Sequence, residues 1–240
     1  MKKPIQRIVI ILSIFLLVNF TVYAKNEFSF QQELFIAAAD VRQLIVDVGP
    51  GSLKIQGGNV DEIIVMATIK SNKYSDVQDL QAAFEDKMVL TLEPHGSKAT
   101  LKAINKKSMF SFKNPKINID LEVTVPNNIK ISVDDGSGSI IISDVYGDID
   151  IDDGSGFLLM KNIIGDVLID DGSGSQEYIN IDGSVVIDDG SGSIKMKNVS
   201  GNVTIDDGSG SIKVEELSGV FKLIDDGSGH VYVNGKKWAD

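Results

Sequence analysis

Six times in this chain two adjacent aspartates precede a Gly-Ser-Gly turn, beginning at Asp134, Asp152, Asp170, Asp188, Asp206 and Asp225. Paired carboxylates support two kinds of chemistry. One acting as acid and the other as base or nucleophile cleaves glycosidic bonds, and carboxylates beside the carbonyls of glycine turns hold calcium. Catalysis needs one pair whose carboxyls differ in environment, yet every copy here has the same neighbours. No arginine falls in the repeats, and the two histidines, His95 and His230, are far apart in sequence. The repeated serines have no paired base, so serine-nucleophile chemistry fails as well. The chain reads as non-catalytic, with no catalytic residue to nominate and a polysaccharide-active enzyme as the weaker alternative.

For calcium the candidates are all twelve aspartates: Asp134, Asp135, Asp152, Asp153, Asp170, Asp171, Asp188, Asp189, Asp206, Asp207, Asp225 and Asp226. Calcium-binding nonapeptide β-rolls place their aspartate after the glycines, in GGxGxD, whereas here the pair precedes them. Turn chemistry is the simpler reading. The second aspartate accepts a backbone N–H two residues on, and the glycines supply unusual backbone angles. It leaves the charge unexplained, because like charges about 4.8 Å apart repel by roughly 1 kcal/mol even in water. Outward splay, salt screening, raised carboxyl pKa values or bound divalent cations would each relieve that repulsion.

The elements that hold these residues follow from the spacing. The units are 18, 18, 18, 18 and 19 residues apart, and a second glycine column, Gly147, Gly165, Gly183, Gly201 and Gly219, keeps the same 18-residue step. Each repeat therefore turns twice. Between the turns apolar residues stand two apart, as Ile140 and Ile142 or Ile212 and Val214, which predicts strands with one face buried. A further column, Val145, Ile163, Ile181, Val199 and Leu217, fills the bend between. Burying five aliphatic side chains gains roughly 8–15 kcal/mol, whereas ordering about 18 backbones costs roughly 18–36 kcal/mol. One unit cannot stand alone, so the coils must stack. The predicted fold is all-β, a single-stranded parallel β-solenoid of 18 residues per coil with a right-handed path. A left-handed hexapeptide solenoid would set its apolar columns six apart, whereas here they come in pairs nine apart.

The pattern reaches backward. "VDVGPGSLKI", Val46 to Ile55, lays onto "IDDGSGSIKV", Ile205 to Val214, and predicts an early, degenerate coil. Strands are expected over Ile63–Ile69, Met88–Leu92, Thr100–Ile104 and Ile117–Val125, with one short helix near Ser75–Phe84 capped by Ser75 and Gln78. The basic loop Asn105–Pro115, with Met109, Phe110 and Phe112, and Trp238 near the other terminus are expected to cover the two open ends, a binding loop being the alternative for the former. The segments are then a signal peptide over 1–24, a β-rich segment with the first coil over 25–129, and the regular solenoid with its cap over 130–240. Lys2, Lys3 and Arg7 precede the apolar run Ile8–Phe20, and Val22-Tyr23-Ala24 suits signal peptidase. That run is shorter than the roughly 20 residues that span a bilayer, so after cleavage the chain is not expected to be an integral membrane protein.

The chain has no cysteine, so neither disulfides nor a lipidated cysteine enter the argument. Residues 130–229 hold 6 lysines and no arginine against 20 acidic residues, a net of −14. Nucleic acid is a poor partner for such a surface.

The repeat V/I-D-D-G-S-G-S-I with its V-x-G-D/N-V half-turn resembles the bacterial putative-adhesin family of exported β-solenoids, a domain of unknown function. The likeness covers roughly residues 33 to 235. It implies a cell-envelope solenoid and carries over no catalytic residue. Where the repeat breaks, Phe157 replaces a serine and Leu159 a charged residue, beside Ile141 of the preceding coil. That apolar patch is expected either to receive the 60–126 segment or to bind a partner. The reading is an exported envelope protein, periplasmic or at the cell surface, presenting a rigid acidic surface as adhesin or scaffold. Its partner would be an envelope protein or glycan, and calcium is the one cofactor the sequence suggests.

Overall fold

The computed structural model describes residues 27–106 and 116–238. The expected signal segment, residues 1–24, and Met109, Phe110 and Phe112 of the basic loop lie outside these ranges. The N-terminal elements are β1 (Phe28–Ala37), β2 (Gln43–Val48), β3 (Gly51–Gly58), β4 (Glu62–Ser71), α1 (Val77–Lys87), β5 (Met88–His95), β6 (Lys98–Asn105) and β7 (Asn118–Pro126). The repeats then supply β8 (Lys130–Asp135), β9 (Gly138–Ser143), β10 (Ile149–Asp153), β11 (Gly156–Ile164), β12 (Val167–Asp171) and β13 (Gly174–Asp182). After them come β14 (Val185–Asp189), β15 (Gly192–Val199), β16 (Val203–Asp207), β17 (Gly210–Leu217), β18 (Phe221–Asp226), β19 (Gly229–Val233) and β20 (Lys236–Lys237).

Each repeat contributes one strand to each of two sheets, as its two turns require. The sheets run β18-β16-β14-β12-β10-β8-β2-β6-β5 and β1-β4-β7-β3-β9-β11-β13-β15-β17-β19-β20. Equivalent residues of successive coils pair in parallel, Ile149 with Val167 and Val167 with Val185, so the 18-residue step of the sequence is the register of the sheets. The inward columns Ile140, Ile142, Leu158, Met160, Ile194, Met196, Ile212 and Val214 are buried between the sheets, as are the bend residues Val145, Ile163, Ile181 and Val199. The predicted β-solenoid of stacked 18-residue coils is the observed architecture.

The second turn holds a column that sequence reading passed over. Asp144, Asn162, Asn180, Asn198, Glu216 and Asn234 all adopt left-handed backbone, with φ between 49° and 59°. Asparagine and aspartate tolerate that region better than other side-chain-bearing residues. The side chains also bridge coils: Asn162 Nδ2 donates to Asp144 Oδ1 at 2.8 Å, Asn180 to Asn162 at 2.9 Å and Asn198 to Asn180 at 2.9 Å. The ladder stops at Glu216.

Val46 to Ile55 does form a coil, built from β2 and β3, which pair with β8 and β9. Its other side departs from expectation. β6 and β7, later in sequence, stack beneath it in parallel with β2 and β3. The coil made first in the chain therefore lies second in the stack, and the 60–126 segment extends the solenoid rather than docking on its flank. Beyond β6 and β7 the neighbours turn antiparallel: β5 on β6, β4 on β7 and β1 on β4. Antiparallel partners end the parallel stack at this end. Helix α1 packs there through Leu80, Ala83 and Phe84, with Phe84 edge-on to Phe30 at 5.5 Å. Its N-cap is Asp76, whose carboxylate accepts the Asp79 N–H at 2.8 Å, and not the expected Ser75. At the far end Trp238 meets Phe221 edge-on at 4.9 Å and donates its backbone N–H to Val231 at 2.9 Å, as an end cover should.

Candidate functional site, a divided aspartate ladder

Adjacent residues of a strand point to opposite faces. The two aspartates of each unit close a strand of the nine-stranded sheet, so one faces water and the other the core. Asp134, Asp152, Asp170, Asp188 and Asp225 are exposed and Asp206 is half-buried. Their partners Asp135, Asp153, Asp171, Asp189 and Asp207 are each only 1–2% exposed. Pairing places both sets in register: Asp152 opposite Asp134 and Asp170, Asp153 opposite Asp135 and Asp171, and so on through Asp188 and Asp189 to Asp206 and Asp207. At a strand spacing of about 4.8 Å, the protein carries two parallel carboxylate columns, one wet and one dry.

The dry column makes the predicted Asx turn. Oδ1 of Asp135, Asp153, Asp171, Asp189 and Asp207 accepts the backbone N–H of Ser137, Ser155, Ser173, Ser191 and Ser209, at 2.9–3.1 Å. The second oxygen is another matter. Oδ2 of Asp135, Asp153, Asp189 and Asp207 is buried and has no hydrogen-bond partner. Burial first, only partly offset by the Ser137 N–H, and then the Asp153 and Asp134 charges hold the Asp135 carboxyl up at about 6. Burial likewise brings Asp153 to about 6, against the Ser155 N–H and with Asp171 and Asp152 adding to it. Asp189, buried between Asp171 and Asp207, is pushed up to about 7. Asp171 and Asp207 are raised for the same leading reason.

One coil is different. Gln176 occupies a core position filled by Ile140, Leu158, Ile194 and Ile212 in other coils, and it donates from Nε2 to Asp171 Oδ2 at 2.9 Å. Its Oε1 accepts the Tyr178 hydroxyl at 2.7 Å, and both side chains are buried. Gln176 is thus the donor that completes one rung. Its sequence signal was a single polar residue in an aliphatic column.

The wet column begins at Asp47, which pairs in register with Asp134 and lies 3.6 Å from Lys102. No member of the dry column ion-pairs with a lysine or arginine among the described residues. Among those residues no group of three or more His, Cys, Asp or Glu converges as a ready metal shell. A cation held by the wet column would bridge successive carboxylates and complete its coordination with water.

The apolar patch is in place on the other sheet. Leu159 stands opposite Ile141, and Phe157 beside them is 38% exposed. No strand of the 60–126 segment covers it, because those strands continue the stack instead. A second apolar pair went unread in the sequence: Leu168 and Val186, in register on the outer face of the nine-stranded sheet and 50% and 43% exposed. An open polar cleft of about 210 Å³ near Pro50, Lys70 and Asn118 has Glu27 as its one lining carboxylate, and so lacks the carboxylate pair of a glycosidase.

No family model matches the chain, and no curated protein is similar to it. Three solved structures that resemble it are described as a putative cell adhesion protein from Clostridium sporogenes, a putative adhesin from Parabacteroides distasonis and a putative adhesin from Bacteroides fragilis. Their identities to this chain are 12%, 10% and 14%, with TM-scores of 0.36, 0.36 and 0.30. The likenesses cover 84%, 84% and 83% of this chain, and 100%, 97% and 96% of those proteins.

Proposed function

We propose that the protein is an exported, non-catalytic solenoid of the cell envelope, an adhesin or scaffold that presents its wet aspartate column as a rigid acidic ridge. The observation that carries this reading is the equivalence of the rungs: Asp134, Asp152, Asp170 and Asp188 have the same exposure and the same strand position, coil after coil. Equal, evenly spaced charges favour a partner that spans many coils, and on the outer face no coil stands apart from the rest as a single reactive site would. No helix of the described residues is long and apolar enough to cross a membrane. The partner on this reading is an extended envelope protein or glycan carrying positive charge or bound cations.

The test is attachment of cells displaying the chain, with outer aspartates changed to asparagine in one coil (Asp170), two coils (Asp152, Asp170) and four coils (Asp134, Asp152, Asp170, Asp188). Loss of attachment graded with the number of coils is expected. Complete loss from one coil alone would point to a localised site and refute the distributed ridge.

Calcium bridging is a second reading, favoured by one spacing. Two calcium–oxygen bonds of about 2.3–2.6 Å span the roughly 4.8 Å between successive outer carboxylates. A melt in millimolar calcium against excess chelator, with magnesium and sodium at matched ionic strength, decides it. A ligand at about 100 times its dissociation constant adds about 2.7 kcal/mol per site, so a midpoint unmoved by calcium removes the reading.

A further inference from the structure

The dry column has no role in the acidic ridge, and aspartate is a costly residue to place there. An Asx turn needs one oxygen, which asparagine or serine would supply as well. The other oxygen of Asp135, Asp153, Asp189 and Asp207 is buried without a partner in four separate coils. The Gln176 rung shows independently what that oxygen lacks: where a donor is supplied, Asp171 Oδ2 takes it at 2.9 Å. In the other coils the same position is aliphatic and can donate nothing.

We propose that Asp135, Asp153, Asp189 and Asp207 form a proton-binding ladder inside the solenoid, interrupted at Asp171 where Gln176 already donates, whose stack tightens in mild acid and loosens as the pH rises through neutrality. The missing donor is the proton itself. A carboxyl that keeps its proton supplies an O–H where no side chain does, and its charge no longer repels the carboxylates of the coils above and below.

The groups facing the ladder are few. Along the stack each inner aspartate faces another inner aspartate, with half-buried Asp226 above Asp207 at the top and Val48 below Asp135 at the bottom. On its own strand each has an outer aspartate beside it, and across the core lie Ile140, Leu158, Gln176, Ile194 and Ile212. Tyr178 is the other titratable group in reach, its hydroxyl held well above the usual range by burial and by Asp171 and Asp189. Among the described residues no lysine or arginine ion-pairs with the column to hold it ionised.

The sign follows from the direction of the shifts. Unfolded aspartates titrate near 3.9, whereas burial holds Asp135 and Asp153 at about 6 and Asp189 at about 7 in the fold. The folded chain therefore binds more protons than the unfolded one between pH 4 and 7. Stability from the ladder is full below the unfolded value and is lost as pH rises through about 6 to 7. Asp144 and Asp148 move the other way, drawn below the ordinary aspartate value chiefly by Asn162 and Lys130 respectively, so their titration is over before this window opens.

The experiment is a thermal melt of the mature chain, residues 25–240, at pH 5, 6, 7 and 8, for wild type, Asp189→Asn and Asp153→Asn/Asp189→Asn. Asparagine keeps the oxygen that accepts the serine N–H and puts a permanent donor where the proton would be. The wild-type midpoint should fall by about 5 °C or more from pH 5 to pH 8. The fall should shrink in the single variant and again in the double, with both variants melting above wild type at pH 8. Carbon-13 carboxyl shifts of aspartate in the folded wild type give a direct reading that needs no variant to fold. The resonances of Asp135, Asp153 and Asp189 should still titrate above pH 5.5. Two results overturn the proposal. One is a flat midpoint with every aspartate carboxyl fully titrated below pH 5. The other is recovery of the pH 8 midpoint by millimolar calcium in wild type but not in Asp189→Asn, which would make the column a cation ladder.

Discussion

Gly192→Ala tests whether the GSG corner is a steric necessity of the stack or only a convenient turn. A Cβ built on Gly192 falls 1.6 Å from the carbonyl oxygen of Gly174 in the coil below, where an ordinary contact begins at 3.4 Å. Backbone cannot yield as a flexible side chain does, so the two coils must part locally by about 1.8 Å, over a third of the 4.8 Å spacing. Three hydrogen bonds near this corner are at risk: Gly192 N to Ser209 O at 2.9 Å, Gly174 N to Ser191 O at 2.9 Å and Gly190 N to Asp171 O at 2.8 Å. Leaving such groups unsatisfied costs about 1–3 kcal/mol each, so the expected loss is roughly 3–9 kcal/mol of a total of about 5–15 kcal/mol. Gly136→Ala is the control within the same motif, since nothing lies within 4 Å of its Cβ position. It should change stability by less than about 1 kcal/mol. Urea denaturation followed by far-ultraviolet circular dichroism at pH 5.5 measures both. If Gly192→Ala costs less than about 1 kcal/mol, the coils are not held at this spacing and the argument from backbone contact fails.

Two further predictions rest on single residues. Gln176→Leu removes the donor to Asp171 and the acceptor of Tyr178, and should cost about 2–5 kcal/mol in the same denaturation experiment. Tyr178→Phe in that background should recover part of it, which a double-mutant cycle will show. Glu216→Asn should restore the asparagine ladder and relieve a glutamate held at φ 56°, at the expense of an exposed contact with Lys197 at 3.7 Å. A gain of about 1–2 kcal/mol, or roughly 2–8 °C in melting midpoint, is expected.

The coil was legible because its chemistry repeats. An 18-residue step in the glycines, the aspartates and the aliphatic columns together leaves few other ways to bury Ile140, Ile142 and their equivalents. What repeats only once was not legible. The coil of β6 and β7 interrupts the order of the stack, and stacking order is set by which β-edges meet, a contact between residues far apart in sequence such as Leu53 and Leu121. The helix cap shifted by one residue because Ser75 and Asp76 are both good caps, and only the backbone angle at Asp76 selects between them. The asparagine column was present in the sequence at the same 18-residue step. Attention to apolar residues passed over it, although left-handed turn residues are as periodic as core ones.

The largest change concerns what the two aspartates are to each other. As a sequence motif they look like a pair, and a pair suggests a bidentate grip or an acid and a base. In a strand, neighbours face opposite sides, so the carboxyls of one DDGSG unit cannot converge on one bond or one ion. The real neighbours lie one coil away, Asp134 with Asp152 on the wet side and Asp135 with Asp153 on the dry side. Glycoside hydrolysis needs two carboxyls on one face with unlike protonation, whereas each column offers a series of like ones. The unlike pair exists only across the sheet, where no substrate can touch both members. Adjacency in the sequence left a catalytic or chelating dyad open as the weaker alternatives to a turn, and the period of two in the strand dissolves the pair into two ladders: one exposed, able to meet a partner in the surroundings, the other sealed in the core, where a proton is the ligand small enough to reach it.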